Sequence, residues 1–174
     1  MHRLPPTGSH GRGDHSVSDA AAHAARSADG PWHAGSGEAM AYVELAVLPV
    51  TPFWARRHAE AVLGAWQLPP DTIQTATLLV SELVTNAVAA MTGLARGSYA
   101  GNAQPITQTL RRQQGRIVIE VSDSDPCPPM PEDAGPDAES GRGLMLVDVL
   151  SKEWSYYFPP SGGKTVYCVI GTGP

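Results

Sequence analysis

The spacing of hydrophobic and polar positions changes several times along this chain, and each spacing predicts an element. Val43, Leu45 and Val47 alternate with Glu44 and Ala46, the two-residue period of a half-buried strand. Thr51-Pro52 then reads as a helix start, with Thr51 as the cap and Pro52 at the first position. Ala55, Ala59, Val62 and Trp66 recur at helical spacing behind it, and Leu68-Pro69-Pro70 closes that helix. Asp71 reads as the N-cap of a second, longer helix reaching about Met91, with its apolar stripe at Ile73, Ala76, Val80, Leu83, Ala87 and Met91. A Gly-rich loop spans 93–102, and Ile106 to Leu110 reads as a strand. Beyond Gly115, Ile117, Ile119 and Val121 alternate with Val118 and Glu120 as another.

Ser122 to Ser140 is a loop with five prolines, a length that in a compact domain points to function or disorder. Gly141-Arg142-Gly143 leads into a short helix, Leu144 to Leu150. Trp154, Tyr156 and Phe158 alternate on one strand, and Thr165, Tyr167 and Val169 on the last, with a Pro-Gly turn between. The order strand, helix, helix, strand, strand, helix, strand, strand predicts a two-layer α/β sandwich. Its sheet would be mixed but mostly antiparallel, with helices on one face.

Residues 1–38 lack any such period and are rich in Gly, Ser, Ala, His and Asp, so they read as a disordered N-terminal tail ahead of a domain at 39–174. Five of the six histidines lie in it, at intervals of eight, five, eight and ten that match no metal-ligand spacing. With 42% hydrophobic and 17% charged residues, the chain reads as a soluble protein, and no uninterrupted apolar run reaches the length of a membrane span. No apolar stretch follows the first residues, so a signal peptide is not expected, and two isolated cysteines fit a reduced, cytoplasmic protein. The net charge of −5 and the lack of a basic block disfavour nucleic-acid binding.

Three groups of residues carry candidate chemistry. Glu82 and Asn86 in Ser81-Glu82-Leu83-Val84-Thr85-Asn86-Ala87-Val88 lie one turn apart on the second helix, flanking its apolar stripe. A carboxylate and a carboxamide placed so can serve a general base and a hard cation, or can simply be a solvated face. Asp123 closes a buried strand before the long loop, as a ligand-binding carboxylate or as the start of an Asx turn. Gly141-Arg142-Gly143-Leu144 brings glycines to a helix N-terminus, where backbone N–H groups can meet a phosphate. Gly162-Gly163-Lys164-Thr165 imitates the end of a P-loop, but Phe158 stands where its first glycine belongs and a strand follows instead of a helix. His58, the only histidine after the tail, lies on a helix, and no nucleophile elbow is present, so a hydrolase triad is not supported.

Taken in order, Glu-Leu-Val-Thr-Asn-Ala on a helix, a strand ending Val-Ser-Asp, Gly-Arg-Gly-Leu opening a helix, and Gly-Gly-Lys-Thr-Val before a last strand resemble the histidine-kinase-like ATPase superfamily over residues 41–170. The closest likeness is to its small bacterial anti-sigma regulatory factors with serine-protein-kinase activity, and the Ala, Gly and Pro content is similar to that of actinobacterial members. The resemblance implies the Bergerat ATP-binding fold, with ATP and Mg²⁺ as cofactors. It makes Asn86 the Mg²⁺ ligand and Glu82 the catalytic base toward a serine hydroxyl. Asp123 becomes the acceptor for the adenine amino group, with Thr165 near the adenine. Gly141, Arg142, Gly143 and Leu144 fall at the phosphates, with the loop from Ser124 to Ser140 as the lid. Implied partners are a sigma factor and an anti-anti-sigma protein, with a possible homodimer and no membrane. A non-catalytic, ATP-dependent sequestering module is the alternative. The chain departs from the family in two places. Asp123-Ser124-Asp125-Pro126 stands where the first glycine box often reads Asp-x-Gly-x-Gly, and Ala89-Ala90 follows the Glu/Asn motif where relatives often carry a basic residue.

Overall fold

The computed structural model describes residues 38–97, 104–129 and 143–172. The expectations for the tail, for residues 98–102 of the glycine-rich loop, for Gly141 and Arg142 and for residues 130–140 of the long loop lie outside them, while residues 93–97, expected in the glycine-rich loop, continue the second helix instead. Eight elements follow in the expected order: β1 (Ala39–Leu45), α1 (Thr51–Ala65), α2 (Pro70–Gly97), β2 (Ile106–Gln113), β3 (Arg116–Asp123), α3 (Gly143–Leu150), β4 (Glu153–Tyr157) and β5 (Lys164–Gly171). The strands form one sheet in the order β1-β2-β3-β5-β4. Every pairing in it is antiparallel, so the sheet contains no parallel part.

The core lies between this sheet and the helices. Ala55, Ala59 and Leu63 of α1 are buried one turn apart, and the two alanines let α1 pack closely against α2. On α2 the buried set is Ala76, Leu79, Val80, Leu83, Val84, Ala87 and Met91. It is wider than the expected stripe because α2 packs against both α1 and the sheet, so Leu79 and Val84 are covered as well. By length and composition alone α2 is apolar enough to cross a membrane, and core helices of this kind pass the same test. Ile106, Leu110, Ile117, Ile119, Val121, Val166, Cys168 and Ile170 meet the helices from the sheet side. On β5 the core-facing residues are thus Val166, Cys168 and Ile170. The other set, Tyr167 and Val169, joins Val118 and Tyr157 in a small cluster on the face opposite the described helices. Burial pushes the Cys168 thiol up to about 12, leaving it an apolar, unreactive core group.

Thr51 does not cap α1. Val50 is the cap residue without a side-chain bond, and Thr51 is already helical, with the proline behind it in the first turn. The Thr51 hydroxyl instead donates to the Ala46 carbonyl and accepts the Leu48 N–H at 3.2 Å, closing the turn between β1 and α1. The second helix begins two residues early, at Pro70, with Asp71 inside its first turn instead of capping it, where a carboxylate favours the helix dipole.

His58 on α1 has its Nδ1 buried without a partner among the described residues, and burial lowers its pKa from the ordinary 6.5. The unfolded chain therefore binds this proton more readily than the folded one. Stability should fall as the pH drops through about 6.5 and level off below the folded value. His58→Gln is expected to flatten that part of the profile in thermal melts between about pH 8 and 5. An unchanged slope would mean that other groups set it.

Candidate functional site

One end of the helix–sheet sandwich collects most of the residues singled out above. Glu82 and Asn86 lie on α2, half-buried and one turn apart, as their spacing required. The first residue of α3, Gly143, rests on both. A Cβ built at Gly143 would come within 2.8 Å of the Glu82 carboxylate oxygen Oε2 and 3.5 Å of the Asn86 amide atoms. The helix N-terminus, with its unpaired N–H groups and partial positive charge, is thereby set beside a carboxylate and a carboxamide. Leu144 turns its side chain into the interior, so at this position only the backbone is available to a ligand.

Gly143→Ala is expected to leave the fold intact, because the atom it meets is the far end of a flexible side chain, but to push Glu82 aside. Melting temperature should change little while any activity that depends on Glu82 drops. Loss of both together would assign Gly143 a packing role instead.

Asp123 ends β3 and is buried. Its Oδ1 accepts the Lys164 ammonium at 2.9 Å and the backbone N–H of Asp125 at 2.9 Å. The latter bond is the Asx turn read from the sequence. Lys164 also donates to Asp125 Oδ2 at 2.9 Å, so one buried ammonium bridges two carboxylates. Burial is the largest influence on Asp123 and carries its pKa above the usual carboxylate range, against the pull of Lys164. Burial is also the largest single influence on Asp125, but it is weaker at this shallower site. Lys164 and the Cys127 amide together bring that carboxyl below its usual value. The exposed Cys127 thiol is raised by its hydrogen bond to Asp125.

The floor beneath Asp123 is backbone. Gly163, at φ +73°, sits so close that a Cβ there would lie 2.0 Å from the Asp123 carbonyl oxygen and 2.7 Å from Ser124 Cα. Ser124 donates to Met91 Sδ at 3.2 Å, tying the loop after β3 to the far part of α2. α2 therefore touches both groups, with Met91 beside Ser124 after β3 and with Glu82 and Asn86 under the start of α3.

Thr165 does not join them. Its hydroxyl lies 2.8 Å from Ser122 Oγ, and both residues point to the face of the sheet opposite Asp123, because successive strand residues alternate. The residue of β5 turned toward Asp123 is Lys164. In the sequence that lysine stands out only as the end of a false P-loop and within the family-like Gly-Gly-Lys-Thr-Val stretch, with no role of its own. The signal that identifies it is an aspartate, Asp125, in a glycine's place beside another buried aspartate, an arrangement that needs a counter-charge.

A Mg·nucleotide fits these residues: the glycine at 143 leaves room at the helix start, beside the Asn86 carboxamide, that a Cβ would fill. Mg²⁺ bound with phosphates takes only one or two protein ligands, a role open to Asn86. A family model described as the histidine kinase-like ATPase domain matches residues 51–170. No curated protein matches the chain.

Proposed function

From the premise that the chain belongs to the histidine kinase-like ATPase family, we propose that it is an ATP-binding regulatory protein that acts as a serine/threonine kinase. Its protein substrate would be an anti-anti-sigma partner, and it would sequester a sigma factor when that partner is phosphorylated. The observation that carries the reading is the seating of Gly143 on Glu82 and Asn86. A helix N-terminus beside a carboxylate and a carboxamide supports phosphate binding, cation ligation and base chemistry at one place.

Each group has a task that suits its chemistry. Bound Mg·ATP supplies the transferable γ-phosphoryl group. The N-terminal N–H groups of α3 bind phosphate oxygens, and the Asn86 carboxamide offers an oxygen to the cation. Glu82, held under the start of α3, would accept the proton of the attacking serine hydroxyl as that oxygen bonds to the γ-phosphorus and the bond from phosphorus to the bridging oxygen breaks, with ADP as the leaving group. Asp123, an acceptor when ionised, takes the adenine amino group. Leu83, Val84 and Ala87 on the other side of α2 anchor the helix in the core and keep Glu82 and Asn86 in place.

The test is incubation of the full chain with labelled Mg·ATP and candidate anti-anti-sigma proteins. Label on a serine or threonine of the partner is the expected result. ATP binding without transfer to any partner would favour the sequestering module, and no ATP binding at all would overturn both.

A further inference from the structure

We propose that Lys164 is a specificity-determining residue of the nucleotide site, holding one oxygen of Asp123 so that the carboxylate presents its other oxygen to the base as an acceptor. The inference rests on Asp123 recognising the base, as proposed above. Lys164 opens β5, an inner strand between β3 and β4, is 4% exposed, and bridges Asp123 Oδ1 and Asp125 Oδ2 at 2.9 Å each. The hydrogen bonds that the Asp123 side chain makes with described residues all go to Oδ1, from the lysine and from the Asp125 amide. That oxygen is thus occupied and the carboxylate cannot rotate freely, which leaves Oδ2 as the contact for a ligand.

An ammonium is an expensive group to bury, and a merely structural contact here would be met by an apolar residue at 164 with a neutral one at 125. What the ammonium adds is charge. Burial and the charge of the neighbouring Asp125 both favour the protonated form of Asp123; Lys164 opposes them most, helped by the Asp125 backbone N–H. A protonated Asp123 gains an O–H donor and can accept guanine, whose six-position carries a carbonyl oxygen, as well as adenine. Asp123 is faced by Lys164 from β5 and by Asp125 from its own loop, with the Cys127 thiol beyond Asp125. From α2, Met91 touches the adjacent Ser124 without bringing charge.

The experiment is a competition titration of Mg·ATP against Mg·GTP across pH. It uses the wild type, Lys164→Met, Asp125→Asn, the Lys164→Met/Asp125→Asn double variant, and Asp123→Ala. The wild type is expected to prefer ATP by at least about tenfold near neutral pH. Lys164→Met should bring the two nucleotides within about threefold, and the pH below which the preference fades should lie higher than in the wild type. Asp125→Asn should keep the preference, because the lysine still holds Asp123. The double variant removes the repulsion between the two carboxylates, so it carries the same comparison if Lys164→Met does not fold. Wild-type preference at every pH in the lysine variants, with loss in Asp123→Ala, would overturn this inference alone. A wild type that binds ATP and GTP equally would overturn the base-recognition reading and this inference with it.

Discussion

Gly163→Ala is expected to cost the domain on the order of 4 kcal/mol, at the upper end for a single substitution. Two effects add. The residue adopts φ +73°, a left-handed conformation that costs a side chain roughly 1–2 kcal/mol. The added Cβ would also lie 2.0 Å from the Asp123 carbonyl oxygen and 2.9 Å from its carbonyl carbon. Those atoms are backbone in the sheet, so relief requires β5 to separate from β3 where Asp123 pairs with Lys164. Gly162 provides the control. It has φ +92°, but a Cβ there meets nothing within 4 Å, so Gly162→Ala should show the conformational cost alone. Thermal and denaturant unfolding of both variants separates the two effects. Similar losses at 162 and 163 would show that close approach to Asp123 contributes nothing.

Glu82→Gln is expected to lower phosphate transfer by about 10²–10⁴, the usual scale for a lost general base, with ATP affinity close to wild type. The glutamine has the same shape, so it keeps the seat under Gly143, and any loss reports the missing base rather than disturbed packing. Asn86→Ala should behave in the opposite way. Losing a cation ligand weakens Mg²⁺-dependent binding first, and the effect should shrink when Mg²⁺ is omitted from wild type and variant alike. Transfer by Glu82→Gln at the parental rate would remove Glu82 from the chemistry, and equal losses of binding in both variants would make the pair structural.

Local features were legible in the sequence because they depend on spacing within one element. The four-residue interval puts Glu82 and Asn86 on one side of α2 whatever surrounds it. The two-residue period of Ile117, Ile119 and Val121 places Asp123 at the end of a buried strand. The order of elements follows from the same periodicities, and with it the two-layer sandwich. Boundaries and caps were less legible, since the Thr51 hydroxyl had two possible partners and the fold brought it to the turn behind it instead of the helix ahead.

Tertiary structure alone decided which distant residues meet. β5 alternates small, aromatic and aliphatic residues on both faces, and both faces are buried, so hydrophobic period could not say that Lys164 and not Thr165 turns toward Asp123. The register of β5 on β3 sets that, pairing Asp123 with Lys164 across 41 residues of chain. The same register presses Gly163 onto the Asp123 backbone, where sequence showed only a turn. A sequence records which residues can be charged, small or buried. The partner of a buried charge and the clearance around a glycine are properties of strands brought together in space, and here they shape the floor and the charge of the site.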